Sequence, residues 1–121
     1  MKPFQVLVFI FLLSWNVVLA GEVDVLQVKV KRSGDNVYHF EVTVTHKDEG
    51  WDHYANKWDV VAPDGTIYGT RTLYHPHVQE QPFTRSLSGV KIPEGIPRVT
   101  IRAHDSVHQY GGKEMTVALP Q

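Results

Sequence analysis

Hydrophobic and polar positions alternate along most of the chain, a pattern that is typical of short β-strands. In residues 38–44, Tyr38, Phe40, Val42 and Val44 share one phase, and polar side chains occupy the other. A period of two predicts a strand that is buried on one face. Similar stretches predict further strands at residues 26–31, 58–62, 66–72, 83–87, 99–103 and 115–119. About seven short strands predict an all-β, single-domain, two-sheet β-sandwich.

The connections between these strands are of two kinds. Ser33–Asn36, Pro63–Gly65 and Pro93–Pro97 are short and built from turn-forming residues. Lys47–Asn56, Leu73–Pro82 and Asp105–Lys113 are long and polar. A chain that runs up and down through a sandwich brings all the long connections to one end. Long loops held by a rigid sandwich are where such domains commonly carry function.

The first twenty residues have the character of a leader rather than of the fold. Lys2 precedes an apolar stretch, and Val18-Leu19-Ala20 matches a small-residue cleavage site. These features predict a secretory signal peptide at residues 1–20 and a β-sandwich domain at residues 21–121. A retained membrane anchor is the alternative, but Ser14 and Asn16 interrupt the apolar run. We therefore expect an exported protein, periplasmic or secreted, with no membrane span after cleavage.

Composition excludes several classes of protein. The chain has no cysteine, which rules out disulfides, thiolate metal sites and a cysteine nucleophile. Its 12 basic residues are balanced by 13 acidic ones, so a nucleic-acid partner is not expected. With 42% hydrophobic residues the chain is not expected to be disordered.

Parts of the sequence resemble known domains. Trp58 follows the strand at residues 38–44 at the distance where immunoglobulin-like domains place their core tryptophan. The segment GVKIPEGIPRVTIRA is similar to the E–F region of fibronectin type III domains. These resemblances imply an immunoglobulin-like or fibronectin III-like sandwich. With HPHVQEQPFTRSL and AHDSVH, the chain also resembles small exported bacterial proteins of unknown function, which implies a compartment and no activity.

Histidine is the unusual entry in the composition, since six of the seven histidines lie in or beside the long connections. His75 and His77 flank a proline, which stiffens an extended pair whose rings face one side. With His104 and His108 they are the first candidate ligands, and His46 and His53 are the second. An imidazole and carboxylate set suits a divalent transition metal such as Zn(II) or Cu(II). A hydrogen-bonded lid without metal is the alternative.

Acidic residues near these histidines could complete the site or orient the imidazoles; they are Asp48, Glu49, Asp52, Glu80 and Asp105. Arg85 shares the inward phase of its strand with Phe83 and Leu87, and Asp105 shares that of Ile101. A buried guanidinium requires a partner. We therefore predict an Arg85–Asp105 pair beneath the long loops.

Four aromatic residues lie in the same connections and are candidates for contact with a partner: Trp51, Tyr54, Tyr74 and Tyr110. Exposed aromatic side chains bury a large area with little loss of entropy. Packing on one another to fix the loops is the alternative. The partner would be a protein or an envelope component.

Catalytic motifs are not apparent in the sequence. There is no Gly-x-Ser-x-Gly elbow, and Ser106 beside Asp105 and His104 is adjacency in sequence only. The sequence thus predicts a small exported binding module that holds a divalent metal. The alternative is a protein-interaction or cell-envelope structural module using the same loops. A small metal-dependent hydrolase is a third hypothesis, and no enzyme is expected.

Overall fold

The structure is a computed structural model that describes residues 21–121. Seven β-strands form in this part of the chain. They are β1 Asp24–Gly34, β2 Val37–Thr45, β3 Ala55–Val61, β4 Ile67–Thr72, β5 Phe83–Lys91, β6 Arg98–Asp105 and β7 Met115–Ala118. The predicted signal peptide lies outside the described residues. Within residues 21–121, no helix has the length and apolar character needed to cross a membrane.

The strands form two antiparallel sheets. The first has three strands in the order β1-β2-β5, and the second has four in the order β4-β3-β6-β7. The prediction of an all-β, two-sheet sandwich is therefore confirmed. Strands β2, β3 and β6 are central in their sheets, so their ends are held by neighbours on both sides.

The core lies between the sheets and follows the predicted alternation. Tyr38, Phe40, Val42 and Val44 of β2 are all buried, and Trp58 of β3 is fully buried. Burying side chains of this size contributes roughly 1.5–3 kcal/mol each. Because the chain has no disulfide, the frame that carries the long loops depends on this apolar burial for its stability.

Strand β1 departs from the simple alternation. The sequence pattern puts Leu26 in one phase with Val28 and Val30, yet Leu26 is 43% exposed. The pairing of β1 with β2 slips between Val25 and Gln27. Such a bulge shifts the phase by one residue, so Val25 is buried in place of Leu26.

The three long connections meet at one end of the sandwich, as predicted. Asp48 Oδ2 accepts a hydrogen bond of 2.7 Å from the backbone N–H of His77. The backbone N–H of Ser106 donates to the carbonyl oxygen of Tyr54 over 3.0 Å. These contacts link residues 46–54 to both of the other connections.

Candidate metal centre

Two histidines and one aspartate converge at the long-loop end. One potential ligand atom each from His46, His53 and Asp105 lies within 4.8 Å of the others. Asp105 Oδ2 lies 3.0 Å from His46 Nε2 and 3.1 Å from His53 Nε2. We call these three residues the His–Asp cluster. Its side chains can offer two nitrogens and one oxygen to a common point.

Each member of the cluster is placed by a central strand. His46 directly follows β2 and continues the inward phase of Val42 and Val44, and it is buried. Asp105 ends β6 and continues the inward phase of Ile101 and Ala103. His53 lies two residues before β3 begins. Sites at the ends of paired strands are held more precisely than sites within mobile loops.

Asp105 organises the cluster and is completely buried. Its Oδ1 accepts hydrogen bonds from the backbone N–H groups of Val107, at 2.8 Å, and of His108. Its Oδ2 faces the imidazoles. Burial alone would raise the pKa of Asp105, but the hydrogen bonds from His108, Val107 and His53 lower it to about 2. Asp105 is therefore a carboxylate near neutral pH.

His46 has an acceptor at each ring nitrogen. Its Nδ1 lies 2.5 Å from Asp48 Oδ1, and its Nε2 lies 3.0 Å from the carbonyl oxygen of Gly21 as well as from Asp105. Asp48 is itself buried and also accepts the backbone N–H of Ala55 over 3.1 Å. Asp48 thus holds the imidazole in a fixed orientation from behind.

His53 repeats this arrangement nearer the surface. Its Nδ1 lies 2.8 Å from Glu49 Oε1, and its Nε2 lies 3.2 Å from the Gly21 carbonyl oxygen. The hydrogen bond with Glu49 raises the pKa of His53, and burial lowers it by a smaller amount; Asp105 and Gly21 add further upward contributions, so the net shift is upward. The same contact lowers the pKa of Glu49. The environment of His53 therefore favours a positive charge on the ring.

Six acceptor contacts surround the two imidazoles, three for each ring. A neutral imidazole donates from only one nitrogen. His46 and His53 each face acceptors at both nitrogens, and a cation beside the Nε2 atoms would satisfy the acceptors that one proton per ring leaves over. Metal–nitrogen bonds of about 2.0 Å place neighbouring donor atoms about 2.8–3.3 Å apart. The 3.0–3.2 Å separations around the two Nε2 atoms lie in this range.

His108 borders the cluster and is more exposed. Its Nδ1 lies 3.2 Å from Asp105 Oδ2, and its side chain is 40% exposed. Its ring centroid is 4.8 Å from that of His53. An open cleft of about 410 Å³ is lined here by Gly21, Lys47, Glu49, His53 and His108. A small ion or solvent can therefore reach His53 and His108 from outside.

The remaining first candidates lie elsewhere. The ring centroids of His75 and His77 are 4.7 Å apart, but Arg85 Nη2 donates to His77 Nε2 over 3.0 Å. His104 Nδ1 lies 2.6 Å from Asn56 Oδ1 on the outward phase of β6. The predicted set of four ligands thus does not share one point, and only His108 of the four adjoins the cluster.

The predicted Arg85–Asp105 pair is absent from the described residues. Arg85 has the predicted inward phase, because it pairs with buried Val42. However, β5 is an edge strand, and its guanidinium leaves the sandwich toward His77 and Glu80. Asp105 is engaged by imidazoles instead.

The four aromatic candidates have different surroundings. Trp51 is 67% exposed and Tyr74 is 75% exposed. Tyr54 packs edge-to-face with Trp51 at 5.6 Å between ring centroids. Tyr110 donates to Asp59 Oδ2 over 2.5 Å and lies 4.2 Å from the Arg102 guanidinium. Tyr110 therefore stabilises its own loop, whereas Trp51 and Tyr74 are open to contact.

Gly21 is the residue at the site that the sequence did not indicate. Its contribution is a backbone carbonyl, which no side-chain pattern can reveal. The burial of His46 had a signal in the sequence, since the alternation of β2 extends to it. Asp48, which the sequence indicates only as an accessory carboxylate, is buried and contacts His46 Nδ1.

No family model matches the chain. The chain is similar to a protein of Halomicrobium mukohataei named "Putative lipoprotein", with 41% identity over 96 residues. The match covers 79% of this chain and 47% of that protein, so the chain spans about half the length of the relative that it matches. No solved structure matches the chain.

Proposed function

We propose that this protein is an exported binding module whose His–Asp cluster holds a divalent transition metal, Zn(II) or Cu(II). The observation that carries the proposal is the pair of imidazoles with carboxylates behind both rings. Asp48 and Glu49 would each accept the Nδ1–H, which leaves both Nε2 lone pairs directed at one point with Asp105. Carboxylates in this position orient ligating histidines and raise their basicity.

The ligand atoms of the cluster indicate which metal ions it would bind. Two imidazoles and one carboxylate suit Zn(II) and Cu(II), and the cluster contains no sulfur ligand. Metal binding would also satisfy the acceptor oxygens of Gly21 and Asp105 that face the two Nε2 atoms.

Export is supported by two independent features. The first twenty residues have the pattern of a signal peptide, and the similar protein of Halomicrobium mukohataei is named "Putative lipoprotein". We infer that the module works outside the cytoplasm, in the envelope or beyond it.

We infer a binding role rather than a catalytic one. A metal-dependent hydrolase needs an open coordination position and a base. Asp48, Glu49 and Asp105 are each hydrogen-bonded to an imidazole of the cluster. A base would have to come from outside the cluster, and the bordering His108 already has its Nδ1 at 3.2 Å from Asp105 Oδ2.

A protein-interaction or envelope role is the second candidate. Trp51 and Tyr74 expose most of their surface, and they belong to two of the long connections that meet at the cluster. Aromatic residues of this kind are frequent anchors at protein interfaces. Such a role is compatible with a metal at the same end.

Strand order bears on the predicted kind of sandwich. In immunoglobulin constant domains the fourth strand joins the sheet of the first two. Here β4 pairs with β3, in the sheet opposite β1 and β2. We infer that the resemblance to fibronectin type III domains is the closer of the two.

The test is metal binding by the purified, exported protein. Titration with Zn(II) and with Cu(II), followed by calorimetry and thermal melting, should show one equivalent bound and a higher melting temperature that a chelator reverses. His53→Ala should abolish the effect. His39→Ala is the matched control, because His39 lies on the outer face of β2 beside Ser88. Equal metal binding by the two variants would refute the cluster as the site.

A further inference from the structure

The carbonyl group of Gly21 lies within the proposed metal site. Its oxygen is 3.0 Å from His46 Nε2 and 3.2 Å from His53 Nε2. Asp105 Oδ2 lies at nearly the same distances from the same two nitrogens. The backbone of Gly21 thus occupies a ligand position, facing the cluster much as the carboxylate does.

The site also favours glycine at this position. A Cβ atom there would lie 2.6 Å from His108 Cε1. The absence of a side chain lets the backbone approach the imidazoles closely, as backbones do where they bind a ligand directly.

Gly21 is also the residue that follows the predicted cleavage site at Ala20. Cleavage of the Ala20–Gly21 peptide bond by water leaves a carboxylate on Ala20 and a free α-amino group on Gly21. Before cleavage the same nitrogen is a peptide nitrogen, whose lone pair is delocalised into the carbonyl group. An α-amino group has a pKa of about 8 and can lose its proton to a metal ion near neutral pH.

We propose that Gly21 becomes the first residue of the mature protein and chelates the metal through its α-amino nitrogen and carbonyl oxygen, together with His46 and His53. The amino nitrogen, Cα, carbonyl carbon and oxygen of one residue close a five-membered ring with a metal ion. This inference rests on the proposed metal site. Its consequence is that the complete ligand set exists only after export and processing.

The test compares two exported proteins that differ by one residue. The first is the natural chain, whose intact mass should correspond to a start at Gly21. The second carries one threonine inserted between Ala20 and Gly21, and only material whose mass retains that threonine is used. The insertion keeps an α-amino group in the protein but moves it one residue away, so Cu(II) and Zn(II) should bind at least tenfold more weakly.

A second measurement separates ligation from crowding by the extra residue. The natural chain is prepared with ¹⁵N-glycine and loaded with Cu(II). If the glycine nitrogen is a ligand, the nitrogen hyperfine pattern in electron paramagnetic resonance should differ from that of unlabelled protein. An unchanged pattern, equal affinities of the two proteins, or a mature chain that starts elsewhere would overturn the inference. In each of these cases the loss of binding in His53→Ala would still uphold the metal site, whereas no binding by the natural chain would overturn both.

Discussion

Two histidine pairs at the same end of the sandwich have nearly equal spacing and opposite surroundings. The ring centroids of His46 and His53 are 4.9 Å apart, and those of His75 and His77 are 4.7 Å apart. The first pair faces carboxylates at each ring nitrogen. In the second pair, the Arg85 guanidinium donates to His77 Nε2.

The charges around each pair determine what it can bind. The hydrogen bond with Glu49 raises the pKa of His53, whereas burial, reinforced by the Arg85 charge, lowers the pKa of His77. The surroundings of the His46 pair therefore favour a cation, whereas the Arg85 guanidinium already occupies the acceptor nitrogen of His77. Proximity of two imidazoles is not sufficient for a metal site.

The largest effect should come from Asp105→Asn. This change keeps the size of the side chain and an oxygen that accepts from the N–H groups of Val107 and His108. It removes the negative charge that faces the imidazoles of His46 and His53. Breaking a buried charged pair costs about 3–5 kcal/mol. Urea unfolding should show a loss of this size in metal-free protein.

Asp52→Asn is the matched control for this variant. Asp52 is exposed in the connection that carries His53, and its loss should change stability by less than about 0.5 kcal/mol. Similar losses for both variants would show that Asp105 has no special place in the fold.

The next largest effect separates the two pairs directly. At a metal concentration 100 times Kd, binding stabilises the folded protein by about 2.7 kcal/mol, a rise in melting temperature of about 10–20 °C. The double variant His75→Ala, His77→Ala should retain that rise. The double variant His46→Ala, His53→Ala should lose it. If the rise follows His75 and His77 instead, the comparison between the pairs is wrong.

Much of this contrast is beyond the reach of sequence reasoning, for identifiable reasons. Alternation along β2 and β6 predicts the buried faces correctly and carries Asp105 inward. The spacing of His75 and His77 favours that pair, yet it carries no information about Arg85. That residue approaches His77 only because β5 lies at the edge of its sheet. Local spacing predicts which rings are near each other, whereas their charge partners come from other strands.

The stability of the region around His75 and His77 should depend on pH. The pKa of His77 is lowered in the folded protein, so the unfolded chain binds a proton more readily. His77 should therefore contribute its full stability above pH 6.5, and that contribution should fall as the pH drops through the folded pKa. His77→Phe should flatten the stability profile below pH 6.5, measured by urea unfolding at a series of pH values. A slope unchanged by the substitution would place the titrating group elsewhere.

The smallest effect on stability is expected for Arg85→Met. Arg85 is partly exposed, and its nearest carboxylate oxygen, Glu80 Oε1, is 3.9 Å away, so its loss should cost less than about 1 kcal/mol. The substitution should nevertheless change the pKa of His77, because it frees the Nε2 lone pair and removes a neighbouring positive charge. The pKa of His77, followed by the NMR shift of its ring protons, should rise toward the ordinary value.

Lys47→Met is the control for Arg85→Met, because the Lys47 charge lies beside the His53 cleft and its removal should leave the pKa of His77 unchanged. A His77 pKa that does not respond to Arg85→Met would mean that burial alone separates the two histidine pairs, and that the arginine merely fills the space beside the ring.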